Sequence, residues 1–212
     1  MEILHVSCSP RGHASESHRL SQRIIELVHE REPHALLVKR VLGSGTLAHI
    51  DANYAEAQQS ADAEVTQLGT IARSDELIAE LERSDVIVIG TPMHNLSVPS
   101  ALKAWIDHVV RARRTFSLTK HGKVGTLRDR PVFIAVSSGG RFSGEHAHQP
   151  DFLTPYLKTI LGMIGLRDLT FFSVEGTGAG ADATARARAQ AEVALREHFA
   201  SFRVAQQSAD AV

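Results

Sequence analysis

The stretch Ser74-Asp75-Glu76-Leu77-Ile78-Ala79-Glu80-Leu81-Glu82-Arg83-Ser84-Asp85-Val86-Ile87-Val88-Ile89 runs a helix straight into a strand. Ser74 reads as an N-cap, with Asp75 and Glu76 suited to the positive end of the helix that follows. Asp75 to Arg83 carries Leu77, Ile78 and Leu81 as its apolar side. The four consecutive β-branched residues Val86 to Ile89 leave no polar face. That makes this strand central, covered on both sides, as strands of a parallel sheet are.

Working outward to the N-terminus, Ile3 to Val6 is a short apolar run entering the small-residue cluster Ser7-Cys8-Ser9-Pro10-Arg11-Gly12. It reads as a buried strand and then a loop. A helix follows from about Ser17 to Arg31, with Leu20, Ile24, Leu27 and Val28 on one helical stripe. Ala35 to Leu42 is a second strand. Residues 43 to 73 are the least legible part: Gly43 and Gly45 punctuate a loop, and the remainder is polar and alanine-rich with weak helical character.

Towards the C-terminus, Thr91 to Leu96 is a loop. Ser97 to Arg113 is a helix with Pro99 in its first turn and a stripe of Leu102, Ile106, Val109 and Val110. Thr115 to Arg130 is a long, basic, glycine-containing excursion. Val132 to Val136 is a strand ending in Ser137-Ser138-Gly139-Gly140. A helix starts at Pro155 with Thr154 as its cap and runs to Gly162 or Gly165. Leu169 to Val174 is the last strand, and Asp182 to Val204 a helix with Leu195, Phe199 and Phe202 on its apolar side. Five strands alternating with helices define an α/β fold, a doubly wound five-stranded parallel sheet with helices on both faces. No repeat or linker divides the chain, so residues 1–212 are expected to form one domain.

The 212 residues carry a net charge of −1, with 43% hydrophobic and 22% charged side chains. This gives no electrostatic footprint for nucleic acid. It also lacks the strong acidity of a carrier that docks on basic partners. One cysteine, Cys8, permits no intrachain disulfide and suits a cytoplasmic protein. The N-terminus has no basic, apolar signal-peptide pattern, and no apolar run is long enough to span a membrane.

In a doubly wound sheet, ligands sit outside the carboxyl ends of the strands at the topological switch point. Three loops lie there. Ser9 to Ser17 leads into a helix N-terminus, whose unpaired N–H groups and dipole favour phosphate. Ser9, Ser15 and Ser17 add hydroxyls; the alternative is that these serines only cap the helix. No Walker loop is present. Gly90-Thr91-Pro92-Met93-His94-Asn95-Leu96 offers a thioether, an imidazole and an amide above the sheet, suited to a planar heteroaromatic ring or to an ordinary turn. In the third loop, Gly139 and Gly140 allow close backbone approach.

Other motifs carry less. Gly43-Ser44-Gly45-Thr46-Leu47-Ala48 imitates a dinucleotide fingerprint but opens no clear helix. Gly176, Gly178 and Gly180 read as another close-approach turn, structural or, as the alternative, near the bound ligand. A cysteine phosphatase needs Cys-x5-Arg, and Ala14 stands at the arginine position. Glu145, His146 and His148 lack a further placed ligand, so no metal is expected. Arg111, Arg113, Arg114, Lys120, Lys123, Arg128 and Arg130 read as a solvated face, the alternative being attraction of nucleotide phosphates.

Together the motifs resemble the flavodoxin-like family of FMN-dependent NADH-azoreductases and NAD(P)H:quinone reductases. The resemblance runs from the first strand to about Gly180. It rests on Ser9 with Ser15-Glu16-Ser17, the segment Ser74 to Ile89, Pro92-Met93-His94-Asn95, Thr115-Phe116, Ser137 to Gly140, and Thr154 to Gly165. It implies FMN as cofactor, with Ser9, Ser15, Glu16 and Ser17 at its phosphate. Met93, His94, Asn95 and Leu96, and Ser137, Ser138, Gly139 and Gly140, match the ring contacts. Phe116, Phe142 and Met163 fall on the substrate face. Members often have Tyr and Phe where this chain has His94 and Leu96, and a histidine near Phe142. The resemblance further implies a homodimer and ping-pong transfer from NADH or NADPH to a quinone or azo compound. No protein group acts as nucleophile, and His94 is a candidate for tuning the flavin edge. An FMN reductase and a flavodoxin-type electron carrier are the alternatives.

Overall fold

The structure, a computed structural model, describes residues 1–45, 47–59 and 69–203. Its sheet has five parallel strands in the order β2-β1-β3-β6-β7, formed by β1 (Glu2–Ser7), β2 (Leu36–Val41), β3 (Val86–Pro92), β6 (Val132–Ser137) and β7 (Leu169–Val174). The chain leaves β1 for β2 on one side and returns to β3 on the other. The switch point therefore lies between β1 and β3.

Period-two alternation explains why both faces are buried. In β3, Ile87 and Ile89 join one core cluster while Val86 and Val88 join the other. In β6, Val132, Ile134 and Val136 alternate with Phe133 and Ala135 in the same way. Each such fully buried branched side chain contributes roughly 1.5–3 kcal/mol. The first cluster holds residues of α3 (Ile71–Arg83), α4 (Ser100–Val109) and α5 (Thr154–Met163). The second holds residues of α1 (Glu16–Arg31) and α6 (Ala181–Ser201).

Several expectations are corrected. Ser74 is not a cap: α3 begins at Ile71, a turn earlier. Ser74 is fully buried, donates to the His108 carbonyl at 2.6 Å and receives the Arg111 guanidinium at 2.9 Å. The early start is explained by Ile71, which packs with Tyr54 and Ala57 in a small satellite core. That core also accounts for the helix α2 (Ala52–Gln59) inside the segment whose sequence shows only weak helical character. Asp51 begins α2 by accepting the Tyr54 N–H at 2.8 Å. Residues 60–68 of that segment, and the expected helix end at Val204, lie outside the described residues.

The helix expected over Ser97 to Arg113 is the shorter α4, with Pro99 as its N-cap. The Thr115 to Arg130 excursion contains an antiparallel hairpin, β4 (Phe116–Thr119) with β5 (Gly122–Gly125). It docks on the end of α5, where the Leu127 N–H donates to the Ile164 carbonyl at 3.1 Å. α5 starts at Thr154, not after it; Asp151 accepts the Leu153 and Thr154 N–H groups, each at 2.9 Å.

Two of the basic residues read as a solvated face are buried clamps. Arg111 joins α4 to α3 through Ser74, Asp75 and the Ile71 carbonyl. Arg130 donates to the carbonyls of Leu81, Glu82 and Ser84 at and just beyond the end of α3.

Candidate functional site

The loops after β1, β3, β6 and β7 converge on a cleft of about 210 Å³. Ser9, Ser15, Glu16, Met93, His94, Ser137, Ser138 and Gly139 line it, eight of the twelve cofactor residues expected from sequence. Pro10, Arg11, Pro92 and Thr177 also line it and were not among the expected contact residues.

The phosphate loop is built for an anion. After β1 the chain makes a single 3-10 turn, Gly12–Ala14, and enters α1 at Glu16 with Ser15 as N-cap. Ser15 makes no side-chain cap bond; its hydroxyl pairs with that of Ser17 at 2.8 Å. The first-turn N–H groups, which an α-helix leaves without internal acceptors, thus receive no cap. A capping role does not account for these serines. Ser9, Ser15 and Ser17 are all buried hydroxyls, the donor set an FMN phosphate needs. The Glu16 carboxylate faces away, held by Arg188 at 2.5 and 2.7 Å, and that bond holds its carboxyl below its ordinary range. Only the Glu16 backbone is thus left to serve an anion.

Gly43 fixes the loop from the β2 side. A Cβ there would overlap the Ser9 carbonyl. Cys8 is fully buried, and burial pushes its thiol up, so it is an inert core residue and no nucleophile. Behind the loop His18 bridges Ser7 at 3.3 Å and His13 at 2.8 Å.

The β3 loop is a tight reversal. His94 and Ser97 exchange backbone hydrogen bonds at 3.0 Å in both directions. Asn95 and Leu96 between them have φ of 49° and 69°. Asparagine tolerates that region, but a leucine there carries strain of about 1–2 kcal/mol. Strain at a ligand loop points to a side chain retained for its position. Phe152 secures the turn by donating its N–H to the Leu96 carbonyl at 3.1 Å.

The β6 loop divides the two glycines. The space beside Gly139 is open, as close ligand approach requires. The space beside Gly140 is filled by the Gln149 carboxamide, which donates to the Ser138 hydroxyl at 3.1 Å and the Met93 sulfur at 3.2 Å. Gly140 therefore admits a protein side chain, not a ligand, and one amide ties the β3 and β6 loops together. Nothing in the sequence marks Gln149. Phe116 is buried in the first core cluster, with Phe142 and Met163 packed against it. None of the three lines the cleft of its own chain.

The Gly176 to Gly180 turn has a defined task. Ser138, Gly139 and Gly140 carbonyls accept the N–H groups of Thr177, Gly178 and Gly176 at 3.0–3.1 Å. This row holds the β6 loop from below. Among the described residues no group of three or more His, Cys, Asp or Glu side chains could hold a metal ion. Nor is any helix among them long and apolar enough to cross a membrane.

Sheet order, switch-point cleft and uncapped phosphate loop define a flavodoxin-like nucleotide-binding protein. The family with a flavodoxin-like fold matches residues 1–199, and this chain belongs to it. FMN-dependent NADH:quinone oxidoreductase 4 of Pseudomonas fluorescens is 47% identical over 174 residues, spanning 82% of this chain and 84% of its own length. An azoreductase from Bacillus anthracis strain Sterne superposes with a TM-score of 0.82 at 20% identity, over 95% of this chain and all of its own. An FMN-dependent NADH-azoreductase from Bacillus anthracis strain Ames Ancestor, solved with FMN, has a TM-score of 0.75 at 22% identity, over 94% of this chain and all of its own. The family resemblance carried by the motifs is thus correct.

Proposed function

We propose that this chain is an FMN-dependent NADH:quinone oxidoreductase. The observation that carries the reading is the helix N-terminus at Ser15, left uncapped and ringed by buried serine hydroxyls at the switch point. The 47% identity to a protein of that name supports it. Bound FMN supplies an isoalloxazine ring that takes up two electrons from NADH and yields them to a quinone or azo acceptor.

The protein's own contribution is placement. Ser9, Ser15, Ser17 and the first-turn N–H groups of α1 hold the phosphate. Met93 to Leu96 and Ser137 to Gly139 present backbone groups and side chains to the ring. Gly140 acts indirectly, by admitting the amide of Gln149. His94, exposed on the cleft wall, is the side chain best placed to tune the ring edge. No side chain here is required as a nucleophile, which agrees with the inert Cys8.

The substrate-face residues Phe116, Phe142 and Met163 lie outside the cleft of their own chain. A homodimer with the flavin at the subunit interface brings such residues to a neighbour's site, and that is the assembly we propose. Sedimentation in solution tests it: a dimer is expected, and a monomer that turns over quinone at full rate contradicts it. Steady-state rates with varied NADH and menadione test the activity. Parallel double-reciprocal lines are expected, because donor and acceptor use one site in turn. Intersecting lines contradict the reading, as does NADH turnover that quinone leaves unaccelerated.

A further inference from the structure

Glu175 stands just beyond the C-terminal end of β7, half-buried. One carboxylate oxygen, Oε2, accepts the consecutive backbone N–H groups of Phe142 and Ser143 at 2.8 and 3.1 Å. The other, Oε1, accepts the hydroxyls of Ser143 and Ser173 at 2.6 and 2.7 Å. Four donors thus converge on one carboxylate, two of them backbone groups of the segment that continues the Ser137 to Gly140 loop. Bonds to an ionised acceptor are about twice as strong as neutral ones, so this is a firm anchor.

The consequence falls on Phe142. Side chains alternate along this segment: Arg141 and Ser143 face a second cleft against α6, while Phe142 turns to the opposite side and packs on the core cluster that contains Met93 and Leu153. Fixing both N–H groups around Phe142 fixes the direction of its ring. The row of bonds from Thr177, Gly178 and Gly176 already holds Ser138 to Gly140 without Glu175. The carboxylate therefore governs the part of the loop beyond the glycines, where Phe142 stands.

We propose that Glu175 is a positioning residue that sets quinone selectivity by fixing Phe142, leaving FMN binding to the loops before it. This rests on the FMN and quinone reading given above, in which Phe142 belongs to the substrate face although it lines no part of its own chain's cleft. It assigns Glu175 no contact with substrate or cofactor.

The test uses the FMN-loaded holoenzyme and its variants Glu175→Ala, Glu175→Gln and Phe142→Ala. Two dissociation constants are read without turnover: that of FMN, and those of menadione and benzoquinone for the oxidised holoenzyme from perturbation of the flavin spectrum. In Glu175→Ala the ratio of menadione to benzoquinone affinity is expected to shift about fivefold or more, a change within the range one altered pocket contact produces. Phe142→Ala should shift it in the same direction, while FMN affinity stays within about twofold of wild type in both. Glu175→Gln should restore the ratio, because its amide oxygen still accepts both N–H groups. An unchanged ratio in Glu175→Ala overturns the proposal, as does an equal loss of FMN and both quinones. Failure of Glu175→Gln to differ from Glu175→Ala also overturns it. If the wild-type protein binds no FMN at all, the functional reading falls as well; FMN bound with the ratio unmoved removes this inference alone.

Discussion

Leu96 concentrates the tension between folding and function in one residue. Its left-handed backbone would suit glycine, yet a leucine stands there. Leu96→Gly should leave the denaturant midpoint unchanged or raised, because relief of about 1 kcal/mol of strain offsets the lost apolar contacts. The same variant should weaken flavin binding measured by titration. A stability loss above about 1.5 kcal/mol would show that the side chain is kept for packing. Gly43 makes the converse case. A Cβ there must displace the Ser9 carbonyl, so Gly43→Ala should lower FMN affinity by about tenfold or more, as a small shift of a binding loop does. Unchanged affinity would mean that Ser9 does not hold the phosphate.

His5 supplies a pH dependence. Its side chain lies on the α1 face of β1, bonded to Ser21 at 2.8 Å and Gln22 at 3.3 Å. Burial first, then His18 and Lys39, pulls its pKa down from 6.5 to about 4. The unfolded chain takes up this proton near 6.5 and the folded chain only near 4. Stability is therefore full above pH 6.5 and falls as the pH drops towards 4, by on the order of 3 kcal/mol from this group, then levels off. Chemical denaturation across that window should show the loss, and His5→Gln should flatten it. A His5→Gln profile parallel to wild type would rule this group out. Nothing in the sequence pattern marks His5, because its burial depends on how α1 crosses the sheet.

At the scale of elements, legibility followed locality. β3 was readable because four β-branched residues in a row have few alternatives, and its alternation between the two core clusters bears this out. The start of α3 was not, because the satellite core of Tyr54, Ala57 and Ile71 forms between segments distant in sequence. The hairpin β4–β5 was missed for the same reason: its docking on α5 needs Gly125 against Gly165, a contact with no local signal. The clearest non-local element device is Arg130, which satisfies three carbonyls at and beyond the end of α3 although burial lowers its pKa. Arg130→Met should destabilise the fold by about 2–3 kcal/mol, because the Glu82 carbonyl loses its donor while those of Leu81 and Ser84 keep only Ser84 and Arg128. Thermal melting checks the loss, and FMN affinity should hold steady in the folded variant. A basic residue used only for nucleotide attraction would give the opposite pattern.

For the whole molecule, the strand order and the position of the site were legible, since a switch point follows from alternating strands and helices alone. Eight of the twelve expected cofactor residues line one cleft. What escaped was the support beneath it: Gln149 bridging two loops, Glu175 anchoring the far part of one of them, and Thr177 on the wall. These residues matter through contacts that only the folded chain creates. Their sole sequence trace was the glycine-rich turn Gly176 to Gly180.

The central claim is that the cleft holds FMN which NADH reduces and a quinone reoxidises. An anaerobic titration of the purified protein tests it most directly. The account predicts a yellow protein whose flavin absorbance is bleached by one equivalent of NADH and returns when menadione is added. A protein that binds no FMN, or whose bound flavin NADH leaves unbleached, would contradict it.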